Sequence, residues 1–341
     1  MYRIAIAGCG MVSDEWIQAV AGRNDSVISA LVVGSNLDNA KAKADHYSLE
    51  AGLYTNISEA IEKEKINLVF DLTPPENHFS TVTTALKAGC DVFGEKPLSN
   101  SLADAYKMVE CAEKTGREYF VMQNRRYIPE LYGLRNFLKG GTLGKIGQLS
   151  ASFQLDPHFG GFREEMDSPL IADMAIHTFD SARFITGKNP VSVYCQEFNP
   201  AWSWYKGDAN AICVFEMDDG VFFDYRGSWC ANGLNTSWES EWRAACEKGS
   251  AFWDGTGEAY YELASDTVKT GLSGDDEGEA NIEIIPKAPL VKTKHAACID
   301  EMFDALNKGI RPQTDCRDNI KSIEMVFKAI ESSRTGRRIK L

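Results

Sequence analysis

Along the first third of the chain, short apolar runs alternate with longer stretches of helical period. The expected strands are Arg3 to Ala7, Val27 to Val33, Asn67 to Leu72, Asp91 to Gly94 and Glu118 to Met122. The expected helices between them are Val12 to Gly22, Asn39 to Tyr47, Ser58 to Glu64, Asn77 to Ala88 and Leu102 to Thr115. This alternation is the pattern of a parallel sheet covered by helices. Ser58, followed by Ile61 and Glu62, reads as a capped helix start, and Gly89 and Gly116 stand where helices should stop.

After a further helix, Pro129 to Lys139, the period shortens. Gln148 to Leu155, Val191 to Glu197, Ala209 to Glu216, Val221 to Arg226, Trp238 to Cys246, Ser250 to Trp253 and Ile282 to Ile285 read as strands, often separated by Gly, Asn or Asp. Asp218-Asp219-Gly220 is a hairpin signal, so this sheet is expected to be mostly antiparallel. Gly271 to Asn281 is small and acidic and reads as a solvated loop. Two helical patterns, His295 to Asn307 and Asp315 to Ser333, close a chain without internal repeats.

The length of 341 residues points to two domains. With 44% apolar and 25% charged residues the chain is globular in composition. Its net charge of −13 argues against nucleic acid or an anionic membrane as partner and favours small molecules. The longest uncharged runs, Ser26 to Leu37 and Gly227 to Trp238, fall short of a membrane span. The amino terminus lacks the lead of a secretory signal. Nine scattered cysteines form neither a redox pair nor a zinc motif, so no metal site is expected and a reducing cytoplasm fits best.

Candidate chemistry begins at Gly8-Cys9-Gly10-Met11-Val12-Ser13, directly after the first strand. In a dinucleotide-binding turn the first glycine permits the bend and the second admits the pyrophosphate to N–H groups at the helix start. Ser13 stands at the third position, where a small residue is needed. The second strand ends in Val33-Gly34-Ser35-Asn36 without the acid that binds the ribose hydroxyls of NAD. Ser35 and Asn36 can donate to a 2′-phosphate, so the balance leans to NADP over NAD. Thr73-Pro74-Pro75-Glu76-Asn77-His78 and Glu95-Lys96-Pro97 each follow an expected strand, where open α/β sheets place ligands. Asp173 and His177 are four apart, hence on one face of a helix, with Asp180 three residues on.

In their order and spacing these motifs resemble the glucose-fructose oxidoreductase and inositol dehydrogenase (Gfo/Idh/MocA) family of NAD(P)-dependent oxidoreductases. Trp242-Arg243 to Gly249, Trp253-Asp254-Gly255 and the closing Gly336-Arg337-Arg338 add to the resemblance, which spans nearly the whole chain. It implies an N-terminal Rossmann domain, here 1–123, and a large open, mostly antiparallel sheet domain for substrate binding and oligomerisation, here 124–341. It implies Lys96, Asp173 and His177 as the catalytic set. Glu95, Thr73, Pro74, Asn77 and His78 would sit with the cofactor, as would Gln123 and Arg126, while Tyr127 would face substrate. The sheet's outer face would build a homodimer or homotetramer.

The expected reaction is hydride transfer between nicotinamide and a secondary alcohol or ketone of a sugar, inositol or related polyol. The competing readings are an NAD-dependent glycoside hydrolase of the same fold and a non-catalytic nucleotide-sensing protein; the intact Lys96, Asp173, His177 set weighs against the latter. His158 and Arg163, in the stretch before the Asp/His motif, are expected substrate contacts. Trp202, Trp204 and Tyr205 read equally as a sugar-stacking surface or as loop packing. Asp167 to Ala172 replaces the family's glycine-rich lead to the motif, so no particular sugar is carried over.

Overall fold

The computed structural model describes residues 1–264 and 281–341, so the expected loop from Gly271 lies outside the described residues except for Asn281. The chain divides into two compact units, Met1–Tyr127 with Val291–Ile323, and Ile128–Leu290 with Glu324–Leu341.

The first unit runs β1 (Tyr2–Ala7), α1 (Ser13–Val20), β2 (Ser26–Val32), α2 (Asp38–Tyr47), β3 (Gly52–Tyr54), α3 (Ile57–Glu64), β4 (Leu68–Asp71), α4 (Pro75–Lys87), β5 (Asp91–Gly94), α5 (Leu102–Thr115) and β6 (Tyr119–Val121). All strand pairs are parallel, in the order β3-β2-β1-β4-β5-β6. That order reverses direction between β1 and β4, which makes the carboxyl ends of these two strands the ligand crevice of a doubly wound sheet. Strand β3 is absent from the sequence reading because it is three half-buried residues at the sheet edge, with no apolar run to mark it. The cap of α3 is also displaced from Ser58. Asn56 accepts the Glu59 N–H at 3.1 Å, two residues earlier than expected. Gly116 ends α5 at φ 64°, as a left-handed cap requires.

A 3₁₀ turn, Asn124–Tyr127, completes this run. The second unit then holds α6 (Pro129–Lys139), β7 (Ile146–Gln154), α7 (Phe162–Glu165), a π-helical turn at Leu170–Ala175, α8 (Ile176–Thr186), β8 (Pro190–Phe198), β9 (Asn210–Met217), β10 (Phe222–Ser228), β11 (Glu241–Cys246), β12 (Gly249–Trp253), β13 (Tyr260–Leu263) and β14 (Ile282–Ile284). After α9 (Lys294–Lys308) and α10 (Cys316–Thr335), β15 (Ile339–Lys340) completes a sheet ordered β14-β13-β12-β11-β7-β10-β9-β8-β15. Its pairs are antiparallel except β10 with β7. The hairpin at Asp218 forms as expected, with Asp219 and Gly220 both at positive φ and Met217 N–H bonded to Val221 O at 2.8 Å.

Residues 291–323 group with the first unit, a division that differs from the expected 124–341 domain. The apolar stripe of α9, Cys298, Ile299, Met302 and Phe303, is buried there. Phe303 lies 5.2 Å from Phe93 and 6.3 Å from Phe70, and Arg23 sits 4.0 Å over its ring. Helical period alone gives the stripe but not the surface it covers.

In the second unit, helices cover one sheet face. Phe179 of α8 packs edge-on against Phe215, Phe223 and Tyr225. Glu197 on β8 is buried beside Ser168, whose hydroxyl is 3.3 Å from its Oε2. Burial pushes the carboxyl up to about 7. A folded-state value above the ordinary one near 4.3 adds stability below that ordinary value, and the gain is lost as pH rises through about 7. Glu197→Gln should therefore flatten the fall in melting temperature between pH 5 and pH 8, recovering up to about 3 kcal/mol at the alkaline end. An unchanged pH profile of thermal unfolding would refute the assignment.

Candidate functional site

The turn after β1 is built as a nucleotide cradle. Gly8 sits at φ 98°, and a Cβ there would lie 2.3 Å from Leu72 O, because the chain leaving β4 passes directly over it. Gly10 has open space where its Cβ would be. Ser13 is fully buried at the first turn of α1 and its hydroxyl donates to Gly10 O at 2.6 Å, which draws the turn closed. The small third residue of the motif thus serves helix packing, and an uncrowded concavity remains above Gly10 at a helix amino end. These features fit a dinucleotide pyrophosphate. Met11 is exposed and Val12 is half-buried at the same lip.

Just beyond β2, Ser35 and Asn36 are exposed. Asn36 is engaged by Asp38, to which its amide donates at 2.8 Å while its carbonyl accepts the Asp38 N–H at 2.9 Å. The carboxylate missing from the strand end is therefore present two residues on, a position that the spacing of the motif did not single out. Asp14, in the first turn of α1, accepts from Lys43 and, at 2.9 Å, from the Tyr47 hydroxyl.

The exits of β4 and β5 are tied together. His78 is buried, with Nδ1 2.9 Å from Pro97 O and Nε2 2.8 Å from Thr73 O. Both partners are carbonyl acceptors, so both bonds form only when the ring carries a proton on each nitrogen. Nearby, Asp71 is completely buried and accepts from the Thr73 hydroxyl at 2.6 Å. Burial pushes its carboxyl up, while the charge on His78 and the Thr73 bonds pull the other way. Pro74 caps α4 and Asn77 lies exposed in its first turn, its N–H on Pro74 O at 2.8 Å.

Glu95 is a buried hub beside Lys96. Its Oε1 accepts from the Trp16 indole at 2.7 Å and its Oε2 from the Lys96 N–H at 3.1 Å. His295, from α9, lies 3.6 Å from the same carboxylate and pairs on its other side with Glu15. Burial raises the Glu95 carboxyl, but its bonds to His295 and Trp16 and the charges of His295 and Lys96 prevail and hold it below the ordinary range. His295 escaped the sequence reading because nothing local links it to Glu95.

Gln123 is buried and its Nε2 finds no partner among the described residues. Arg126 donates to Gln313 O at 2.5 Å and to Asp318 at 3.2 Å. Tyr127 is buried with its hydroxyl donating to Glu301 at 2.7 Å, and burial raises its phenol well above the ordinary value. Both side chains thus brace residues 301–318 inside the first unit.

In the second unit, Asp173 sits in the π-helical turn and His177 in the first turn of α8, both half-buried, as is Ala172 beside Asp173. A π turn takes more residues per revolution than an α turn, which suits the four-residue spacing of the two side chains on one face. Arg163 of α7 donates to Asp173 at 2.7 Å and lies over Phe159 and Phe162. His158 stacks 3.7 Å from the Trp204 ring. Tyr205 is buried against Trp229 and donates to Pro157 O at 2.8 Å, so it packs the loop. Asp180 is buried 3.9 Å from Arg183. No cluster of three or more His, Cys, Asp or Glu suited to a metal ion occurs among the described residues.

A doubly wound unit with a glycine turn at its ligand crevice is followed by a second unit built on a helix-backed mixed sheet. Residues 2–123 match the model of an oxidoreductase family with an NAD-binding Rossmann fold, and residues 133–252 match the GFO/IDH/MocA C-terminal domain. The chain belongs to the GFO/IDH/MocA oxidoreductase family. It is 25% identical to D-apiose dehydrogenase of Paraburkholderia graminis over all of this chain and 90% of that one. It is 27% identical to inositol 2-dehydrogenase of Corynebacterium glutamicum over 65% of each. An oxidoreductase from Agrobacterium radiobacter, solved with NAD+, L-tartaric acid and magnesium, shares the fold at a TM-score of 0.85 and 20% identity, covering 99% of this chain and 98% of that one.

The two glycines separate shape from ligand. Gly8→Ala should lower the melting temperature, by at least about 2 kcal/mol of stability, because a Cβ at that φ collides with Leu72 O. Gly10→Ala should melt like the parent and still weaken NAD binding tenfold or more by filling the concavity. Calorimetry and NAD titration of the two variants decide this, and equal NAD affinity in Gly10→Ala and the parent would refute the cradle.

Proposed function

We propose that this oxidoreductase interconverts a secondary alcohol and a ketone on a sugar, inositol or related polyol. The observation that carries the reading is the Asp173 and His177 pair, set on one helical face at the π turn and half-buried among mostly buried helical residues. NAD(H), when bound, accepts or supplies the hydride.

The chain's residues handle the proton and the oxygen. Imidazole, with an ordinary pKa of about 6.5, suits a base that removes a hydroxyl proton near neutral pH, and His177 takes this role. It returns the proton when the ketone is reduced. Lys96 hydrogen-bonds the reacting oxygen and stabilises alkoxide charge, for which position counts more than basicity. The Glu95 bond to its backbone N–H fixes where Lys96 leaves the sheet. Asp173 holds a substrate hydroxyl and is itself oriented by Arg163.

For the cofactor, Asp38 favours NAD. The absence of an acid at residues 31–36 leaned the sequence to NADP, but a carboxylate hydrogen-bonded to Asn36 repels a 2′-phosphate and offers an acceptor to a ribose hydroxyl. A cytoplasmic location is supported by nine free cysteines, eight of them buried. No helix among the described residues is long and apolar enough to cross a membrane. A second copy of this chain on the outer sheet face is supported by Tyr194, Ile212, Val214 and Phe222, exposed by 41–53% on the side away from α8.

Two measurements follow. With NAD and a panel of polyols read at 340 nm, His177→Ala should lose about 10²–10⁴-fold in kcat on the substrate found. Undiminished turnover would remove His177 from the base role, and product without net NADH would point to glycoside cleavage instead. Sedimentation should give twice or four times 37.8 kDa, and Ile212→Glu with Val214→Lys should return it to one chain. A parent sedimenting as one chain would refute the assembly.

A further inference from the structure

The open face of the second sheet carries a polar row that the catalytic reading does not use. On three neighbouring strands, Ser228 of β10 is paired with Gln154 of β7 on one side and with Asn210 of β9 on the other. Paired residues point to the same face, about 4.8 Å apart from strand to strand, so an amide, a hydroxyl and a second amide stand in a line about 10 Å wide. Gln154 is half-buried, while Asn210 and Ser228 are buried and the Ser228 hydroxyl accepts the Cys230 N–H at 3.1 Å. The face follows from the alternation. Phe153 is fully buried next to Gln154, and Phe215, Phe223 and Tyr225 turn toward Phe179 of α8, so the row faces away from the helix that bears His177.

A cavity of about 480 Å³ opens over this row. Trp202 walls it and is 66% exposed, with its indole N–H on Cys230 O at 3.3 Å. The ring is thus anchored at its polar edge while much of its surface meets solvent. The side-chain amides of Gln154 and of Asn232, also in the lining, make no hydrogen bond among the described residues. Asn210 donates only to the Cys230 sulfur, a weak acceptor, at 3.1 Å. No lining side chain is charged.

We propose that this cavity binds a neutral pyranose or cyclitol at a site separate from the catalytic residues. An uncharged lining disfavours phosphates and carboxylates. Amides present a donor and an acceptor side by side, which matches hydroxyls that are both, and the unbonded amides of Gln154 and Asn232 stand in one lining with the Trp202 ring. An anchored indole takes the C–H face of a sugar ring with little ordering cost. The volume lies in the range of small-molecule sites. The proposal stands apart from the assignment of His177, and either can fail alone.

The test is saturation-transfer NMR on the full chain with methyl α-D-glucopyranoside, D-glucose and myo-inositol as probes. Transfer to at least one probe is expected in the Asp173→Ala/His177→Ala double variant, and it should fall at least fivefold when Trp202→Ala or Gln154→Ala is added to that background. Gln154→Ala decides the matter should Trp202→Ala fail to fold. Absence of transfer to all three probes in the double variant, or transfer that persists when Gln154→Ala is added to it, would overturn the site. A drop in sedimenting mass in Trp202→Ala with unchanged transfer would give the cavity to a second copy of the chain and would overturn it as well.

Discussion

Two carboxylates taken out of water at the ends of β4 and β5 constrain the first unit more than any other feature. Asp71 and Glu95 are both buried, and a carboxylate in that position costs several kcal/mol unless hydrogen bonds and opposite charge offset it. The compensation comes from four separate segments. Trp16 supplies an indole from α1, His295 an imidazole from α9 and Lys96 a backbone N–H from the strand exit, while His78 from α4 pulls the Asp71 carboxyl down. Because α1 also carries the glycine turn, the bond from Trp16 to Glu95 couples the place of the nucleotide cradle to the place of Lys96. The glycine turn and the Lys96 backbone are thus fixed through one buried acid.

The second unit solves a different problem, that of a wide sheet with two unlike faces. One face is closed by α8 and its aromatic contacts, with Phe179 among Phe215, Phe223 and Tyr225. Dense packing there leaves little freedom, and the π turn before α8 is where the helix departs from regular geometry and presents Asp173. The other face mixes exposed apolar side chains with polar rows. Strand β10 runs about 20 Å from Phe222 to Ser228, while on β9 Ile212 of the apolar patch lies two residues from Asn210 of the cavity, so patch and cavity adjoin on this face.

Much of this was written in the sequence, and the misses have physical causes. The strand and helix alternation was legible because fully buried strands are apolar throughout and their helices carry one apolar stripe. The glycine turn, Glu95-Lys96-Pro97 and the Asp173 to His177 spacing were legible because each is a contiguous segment whose chemistry depends on neighbours in the chain. Strand β3 was missed because an edge strand of three residues buries too little to need an apolar run. Asn56 rather than Ser58 caps α3, since either side chain suits a cap and only the path of the chain selects one. The π turn was missed because helical spacing of four residues looks alike in an α turn and a π turn.

By itself the sequence determined the order of elements, the class of cofactor-binding turn and the residues at the strand ends, all of which rest on periodicity and local chain geometry. Tertiary structure alone decided that α9 covers the first unit, that His295 meets Glu95 across 200 positions and that Arg163 holds Asp173. It also decided which face of the second sheet carries Gln154, Ser228 and Asn210. These are choices of register and packing partner. They are set by burial of surface between segments far apart in the chain, and that free energy exists only once the segments meet.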